Sequence, residues 1–227
     1  MSLRKSALLV GCWAVFLGAS ASVAFAQEGS DETTLDGKVA SVTTKGRTTT
    51  LKVTDEGGTE HEFTLTPKVE LEIVATGDDG FLAEGQMVKI AAIQSNENFF
   101  GSQFDVYPQA VGRSGPAKAV KAPPKIGQSQ SLHYITGEVI QLADIPDGKY
   151  DMLDLKGTGK GKFQVYVEPN HRVRVIFTDP KSIKVDQKVT VTGKAAGAKF
   201  NASKITITTG DTLKGAEFLP TLGKKKK

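Results

Sequence analysis

The sequence predicts an all-β protein, built as two tandem five-stranded small β-barrels joined by a Pro/Gly-rich linker. Three observations predict it. Apolar and polar residues alternate at period two through most of the chain, turn-forming clusters interrupt the alternation at short intervals, and the whole pattern recurs after about 100 residues. Composition agrees: 24 glycines with abundant Val, Ile and Thr favour short strands and tight turns over helices. A hydrophobic content of 39% suffices for a core, whereas 7% aromatic residues is low for a broad stacking platform.

Residues 1–26 read as a secretory signal. Arg4 and Lys5 form the charged start, an apolar run extends from Ala7 to about Val23, and Ala24 and Ala26 are the small residues that set cleavage after Ala26. Leu9-Val10-Gly11-Cys12 also has the form of a lipobox, and an uncleaved run of this length would just span a membrane. The strongly apolar stretch from Trp13 to Leu17, where a lipoprotein continues with a polar linker, favours cleavage. The expected location is periplasmic or extracellular, with lipid anchoring through Cys12 the lesser alternative. The mature chain then has no transmembrane span, and since Cys12 is the only cysteine it has neither disulfide nor thiolate.

The repeat pairs Gly37-Lys38-Val39 with Gly137-Glu138-Val139, Val42 with Leu142, Phe63 with Phe163 and Pro67 with Pro169. Val69, Leu71 and Ile73 run parallel to Val173 and Val175, and Gly85-Gln86-Met87-Val88 to Asp186-Gln187-Lys188-Val189. The first copy, 35–106, has strands at 35–43, 48–54, 60–65 continuing as 69–74 after Pro67, 87–94 and 99–106. The second, 133–209, has them at 135–142, 150–155, 162–168 continuing as 172–176 after Pro169, 188–194 and 199–208. Short 3₁₀ segments are expected near Phe81–Glu84 and Pro180–Ile183. Residues 107–132, with Pro108, Pro116, Pro123 and Pro124, read as a semi-extended linker, and 210–227 as a mobile basic tail ending in Lys224–Lys227.

Five strands in about 70 residues suit an OB-type Greek-key barrel, and an SH3-like barrel would be written similarly. The G-x-V start, the hairpin, the G-Q-x-V or D-Q-x-V segment and the closing apolar hairpin resemble the small exported OB-like domains of unknown function found in bacterial envelopes. The resemblance covers about two thirds of the chain, and its motifs are structural.

Charge is divided unevenly. The first copy carries 6 basic and 12 acidic residues, the second 12 basic and 8 acidic, so the halves are expected to present opposite fields. In the second copy Lys160, Lys162, Arg172 and Arg174 gather around the third strand group, with Arg172 and Arg174 pointing outward opposite the core-facing Val173 and Val175. Tyr150 and Tyr166 are the aromatic residues that would accompany them on the strand 2–3 face with which OB barrels bind ligands.

No catalytic set is expected. His61, His133 and His171 do not hold matching positions and lack metal-ligand spacing. His61 and His171 read as solvated strand residues. Asp144, Asp147, Asp151 and Asp154 depart from the EF-hand spacing, so Asp147-Gly148 reads as a turn. Gly157-Thr158-Gly159-Lys160-Gly161-Lys162 leads into a strand, unlike a P-loop. No metal or cofactor is implied. The sequence thus points to an exported, non-enzymatic binding or structural protein of the cell envelope with an unnamed ligand or protein partner. The alternative is binding of an anionic polymer or surface (nucleic acid, acidic polysaccharide or anionic lipid) by the basic second copy.

Overall fold

The computed structural model describes residues 32–108, 115–124, 126–145, 148–196 and 199–222. The signal residues Ala24 and Ala26, Cys12, Asp147 and the Lys224–Lys227 tail lie outside them.

The protein is all-β: the described residues form one 12-stranded sheet and one short helix. The strands are β1 (Thr33–Lys45), β2 (Thr48–Asp55), β3 (Glu60–Leu65), β4 (Glu70–Gly77), β5 (Met87–Ser95), β6 (Asn98–Tyr107), β7 (Lys118–Lys121), β8 (Leu132–Ala143), β9 (Asp151–Lys156), β10 (Lys162–Phe177), β11 (Lys188–Ala196) and β12 (Lys199–Leu213); the helix is α1 (Gly215–Leu222). Single 3₁₀ turns at Asp79–Phe81 and Pro180–Ser182 precede β5 and β11, each opened by an Asp side chain, Asp78 or Asp179, that accepts a backbone N–H two residues on. Three elements depart from the sequence reading. Part of the segment read as linker is β7, paired antiparallel with β8. Pro169 does not divide β10, although the ladder to β6 shifts register between Val167 and Arg172. The expected tail begins as the end of β12 and then forms α1, whose Phe218 packs on Phe81 and Phe177.

The pairing crosses the boundary between the halves. The β5–β6 hairpin, from 35–106, pairs with β8 and β10 of the second half; the β11–β12 hairpin, from 133–209, pairs with β1 and β4 of the first. The pairings β10–β6, β6–β5, β5–β8, β8–β9 and β9–β10 return on themselves as a ring. Two cores result, each fed by both halves. One gathers Val39, Leu51, Val53, Phe63, Ile73, Val189, Val191, Ile205 and Ile207. The other includes Val88, Ile90, Phe104, Ile135, Leu153, Leu155, Val165 and Val175. Neither half by its own strands encloses a core, so the reading of two barrels each closed within its own stretch of sequence is not the arrangement found.

The exchange also evens out the expected charge asymmetry. Grouped by core, 33–77 with 178–213 hold 11 basic and 10 acidic residues, and 78–107, 118–121 and 132–177 together hold 9 and 11. Strongly opposite fields belong to the halves of the sequence, not to the packed groups.

The two groups follow one register. Val39 pairs with Val53 and Val139 with Leu155; Leu51 pairs with Phe63 and Leu153 with Val165. Each first strand bulges just after its valine, between Val39 and Ser41 and between Val139 and Gln141. Backbone bonds correspond as well: Val39 N–H donates to Gln187 and Asp186 N–H to Val39, as Val139 N–H donates to Gln86 and Gly85 N–H to Val139. By this register Phe63 holds the place of Val165, and Phe163 that of His61, so the Phe63–Phe163 match read from the sequence is two residues out.

Candidate ligand-binding face

Strand alternation decides which side chains of the ring formed by β5, β6, β8, β9 and β10 point away from its core. On β10, Val165, Val167, Val173 and Val175 are buried, so Tyr166, Arg172 and Arg174 face outward. The ladder then aligns one apolar row across five strands: Met152 on β9 pairs with Tyr166 on β10, Tyr166 with Phe100 on β6, Phe100 with Ile93 on β5, and Ile93 with Leu132 on β8. All five are half-buried. Phe100 and Tyr166 stack with centroids 5.3 Å apart and planes at 20°, and Tyr150 meets both edge-on at 5.5 and 6.3 Å.

The register shows what this row replaces. At the corresponding positions around the first core, Met152↔Tyr166 becomes Thr50↔Thr64 and Ile93↔Phe100 becomes Lys194↔Asn201, while Tyr150 becomes Thr48. In the first group β3 and β12 are not paired, so Thr64 and Asn201 are not ladder neighbours as Tyr166 and Phe100 are; the aromatic row lies where β6 and β10 close the ring, and the matching strand positions of the first group are polar.

Next to the aromatic row lies a polar network. Asp154, 3% exposed, pairs with Gln164 in the ladder and accepts from Lys162 Nζ at 2.6 Å, Gln141 Nε2 at 2.8 Å and Gln164 Nε2 at 3.1 Å. Burial alone would raise its pKa, but the hydrogen bonds from Lys162, Gln164 and Gln141 outweigh it and hold the carboxyl below its ordinary value. On the other side of the row Arg174 forms a bidentate pair with Asp105, both bonds 2.7 Å, and the hydrogen bonds to Asp105 raise the guanidinium pKa.

Of the residues singled out in the sequence, the structure brings Tyr150, Tyr166, Arg172 and Arg174 to one outer face. Lys162 and Arg174 are engaged by Asp154 and Asp105, which leaves Arg172 exposed, without an ion-pair partner among the described residues. Lys160 is exposed in the turn between β9 and β10. Phe100 was not legible as part of this face, because it lies in the other half of the sequence and arrives only through the exchanged hairpin. The alternation of β6 marks it as outward; nothing local says toward which strand.

Tyr150 also lines a cavity of about 260 Å³ with Asp79, Lys149, Asp151, Glu168 and His171. His171 is not a solvated strand residue: its Nε2 lies 2.6 Å from Asp79 Oδ1 and its Nδ1 2.8 Å from the Glu168 carbonyl, with Phe104 edge-on to the ring. His61 is likewise engaged, 2.9 Å from Asp55 Oδ2. Asp151 shares a hydrogen bond with Asp144; that bond, then burial, then the charges of Asp144 and Asp79 raise its pKa. Among the described residues no group of three His, Cys, Asp or Glu is placed to hold a metal ion, and no helix is long and apolar enough to cross a membrane.

No family model, no curated protein and no solved structure matches this chain.

Proposed function

We propose that the protein is an exported, non-enzymatic binding protein made from a duplicated small OB-like β-barrel whose copies have exchanged their closing hairpins, and that it binds its ligand on the outer face of β6, β9 and β10. The observation that carries this is the row Met152, Tyr166, Phe100 and Ile93 with Tyr150 beside it, set where the other core presents Thr50, Thr64, Asn201, Lys194 and Thr48. Two stacked rings offer a flat apolar surface at low side-chain entropy, and the Lys162–Asp154–Gln164 network offers donors and acceptors next to it. Matching hairpin exchange, bulges and 3₁₀ turns support the duplication. The leader from Arg4 to Ala26 supports export into the envelope or beyond.

Co-sedimentation of the mature chain with isolated envelopes of its host tests this reading. Wild type is retained, and Phe100→Ala/Tyr166→Ala loses at least about tenfold in retention while keeping its melting temperature within a few degrees. Equal retention of the double variant removes the face from consideration.

Anionic-polymer binding is the second reading, favoured by the exposed Arg172 adjoining the aromatic row. It requires retention to fall steeply with added salt and on Arg172→Ala. Because Lys162 and Arg174 are already neutralised within the fold, the aromatic reading expects only a shallow salt dependence.

A further inference from the structure

The two cores differ in one further place. On β8 the stretch His133–Thr136 is paired on both sides, with β5 on one and β7 on the other. Ala117, just before β7, donates its N–H to the carbonyl of Lys156 at 2.6 Å and lies against Gly137, and Ala117 and Ala119 pack on the core while Lys118 and Val120 alternate with them on the solvent side. The corresponding stretch of β1, Thr33–Asp36, pairs with β11 on one side, and β2 joins the other side only from Gly37 onward. Among the described residues no strand pairs with Thr33–Asp36 on that second side. The edge thus leaves a run of backbone donors and acceptors with the geometry of a sheet and without a partner strand.

A cavity of about 470 Å³ opens at the same place, lined by Asp36, Gly37, Lys38, Thr54, Asp55 and Glu56. Gly37 corresponds to Gly137, and Thr54 to Lys156, the residue whose carbonyl holds Ala117. The turn that follows also corresponds, with Asp55 N–H bonded to the Thr59 carbonyl as Gly157 N–H is to Gly161. The cavity reaches from this edge across β1 to Lys188, Thr190 and Thr208 on β11 and β12, and its Gly37–Thr54 side adjoins the place that Ala117 takes in the other group. Leu35, half-buried, packs on the first core along this edge as Ile135 does on the second.

Charge distinguishes the two positions. Lys118 pairs with Thr136, whose counterpart is Asp36; Gly157 and Thr158 have Asp55 and Glu56 as counterparts. Asp36 is exposed and accepts from Thr190 Oγ1, and Asp55 is shared with His61. Lys38 and Lys188 line the cavity's cationic side. A segment with lysine at the place of Lys118 would meet a carboxylate here where β7 meets a hydroxyl.

We propose that the Thr33–Asp36 edge of β1 is a strand-addition site for an extended, lysine-bearing segment of a partner protein, lying antiparallel on β1 as β7 lies on β8. Backbone bonds to the edge supply the affinity. Specificity comes from small apolar residues turned to the core, like Ala117 and Ala119, with a lysine at the place of Lys118 turned to the Asp36 and Glu56 carboxylates. The site shares no residue with the aromatic face.

The probe is the chain's own β7 segment as a free peptide, GPAKAVKAP, titrated into ¹⁵N-labelled mature protein. Amide shifts are expected at Thr33–Lys38 and at Asp55 and Glu56, with binding at least about tenfold weaker for GPAEAVEAP and for the Asp36→Lys protein. To offset weak affinity, a second protein carries GPAKAVKAP and a flexible linker ahead of Glu32, which raises the local concentration to the order of millimolar. In it, hydrogen exchange at Thr33–Asp36 slows at least about tenfold. Shifts confined to β5 and β8, equal binding of the glutamate peptide, or unchanged exchange in the tethered protein would each overturn the proposal.

Discussion

Val74 and Ile176 face each other across the antiparallel pair of β4 and β10, and the pairs around them mirror one another: Ile73 with Phe177, Ala75 with Val175. Both central residues are buried, at 8% and 2% exposure. The parallel ladders on the outer sides agree, with Ile207 on Ile73 and Val106 on Val175. A pseudo-twofold axis passes through this pair, and each hairpin delivered to the opposite core is exchanged about it.

Because each core takes strands from both halves, cutting the chain between the halves should leave them associated and folded, and neither half should fold alone. Cleavage engineered within 109–114 is expected to leave one complex that elutes as the intact chain does, whereas each fragment made alone lacks cooperative unfolding. Two independently folded fragments would contradict the pairing described above.

Ile176→Ala should cost about 2–5 kcal/mol, the range for truncating a fully buried Ile, and should lower one shared transition rather than split it. Urea unfolding followed by circular dichroism and by tyrosine emission decides this: coincident curves are expected.

Asp154 links stability to pH. Its folded pKa is depressed, so its contribution is complete above the unfolded carboxylate value near about 4 and is lost as pH falls through the lower folded value. Asp154→Asn should destabilise the protein by about 1–3 kcal/mol at pH 7. The melting-temperature gap to wild type should narrow as the pH is taken down through the carboxylate range.

Asp151 has the opposite sign. Its folded pKa is raised by the bond to Asp144, so the folded state holds that proton more tightly than the unfolded chain does, and stability is lost as pH rises through the folded value. Asp151→Asn is expected to raise the melting temperature at pH 7–8 and to leave it nearly unchanged well below the carboxylate range.

Asp186 has φ of 67° at the position that Gly85 occupies, at φ 80°, in the other group. A side chain in this region costs about 1 kcal/mol that glycine avoids, so Asp186→Gly should be neutral or stabilising by up to about 1 kcal/mol in thermal unfolding.

Much of the local structure was present in the chain's own pattern. Alternation at Val165, Val167, Val173 and Val175 marks the buried face of β10, and with it the outward direction of Tyr166, Arg172 and Arg174. The Asp55–Gly58 cluster marks the turn after β2. β7 was hidden because a four-residue strand between prolines has too little alternation to register. The tail was misread because Phe218 and Leu219 find their partners in Phe81 and Phe177, far away in sequence.

The sequence by itself determined that the chain is β, where most strands begin and end, and which side of each is apolar, because those follow from period-two alternation and turn chemistry within a few residues. Only the tertiary structure decided which strands share a core. A β5–β6 hairpin carries the same alternation whether it closes on β1 or on β8, and the choice rests on non-local pairing that leaves no local trace. That choice brought Phe100 to Tyr166, evened out the charge of the two groups, and left Thr33–Asp36 without a second partner strand among the described residues, where His133–Thr136 has two.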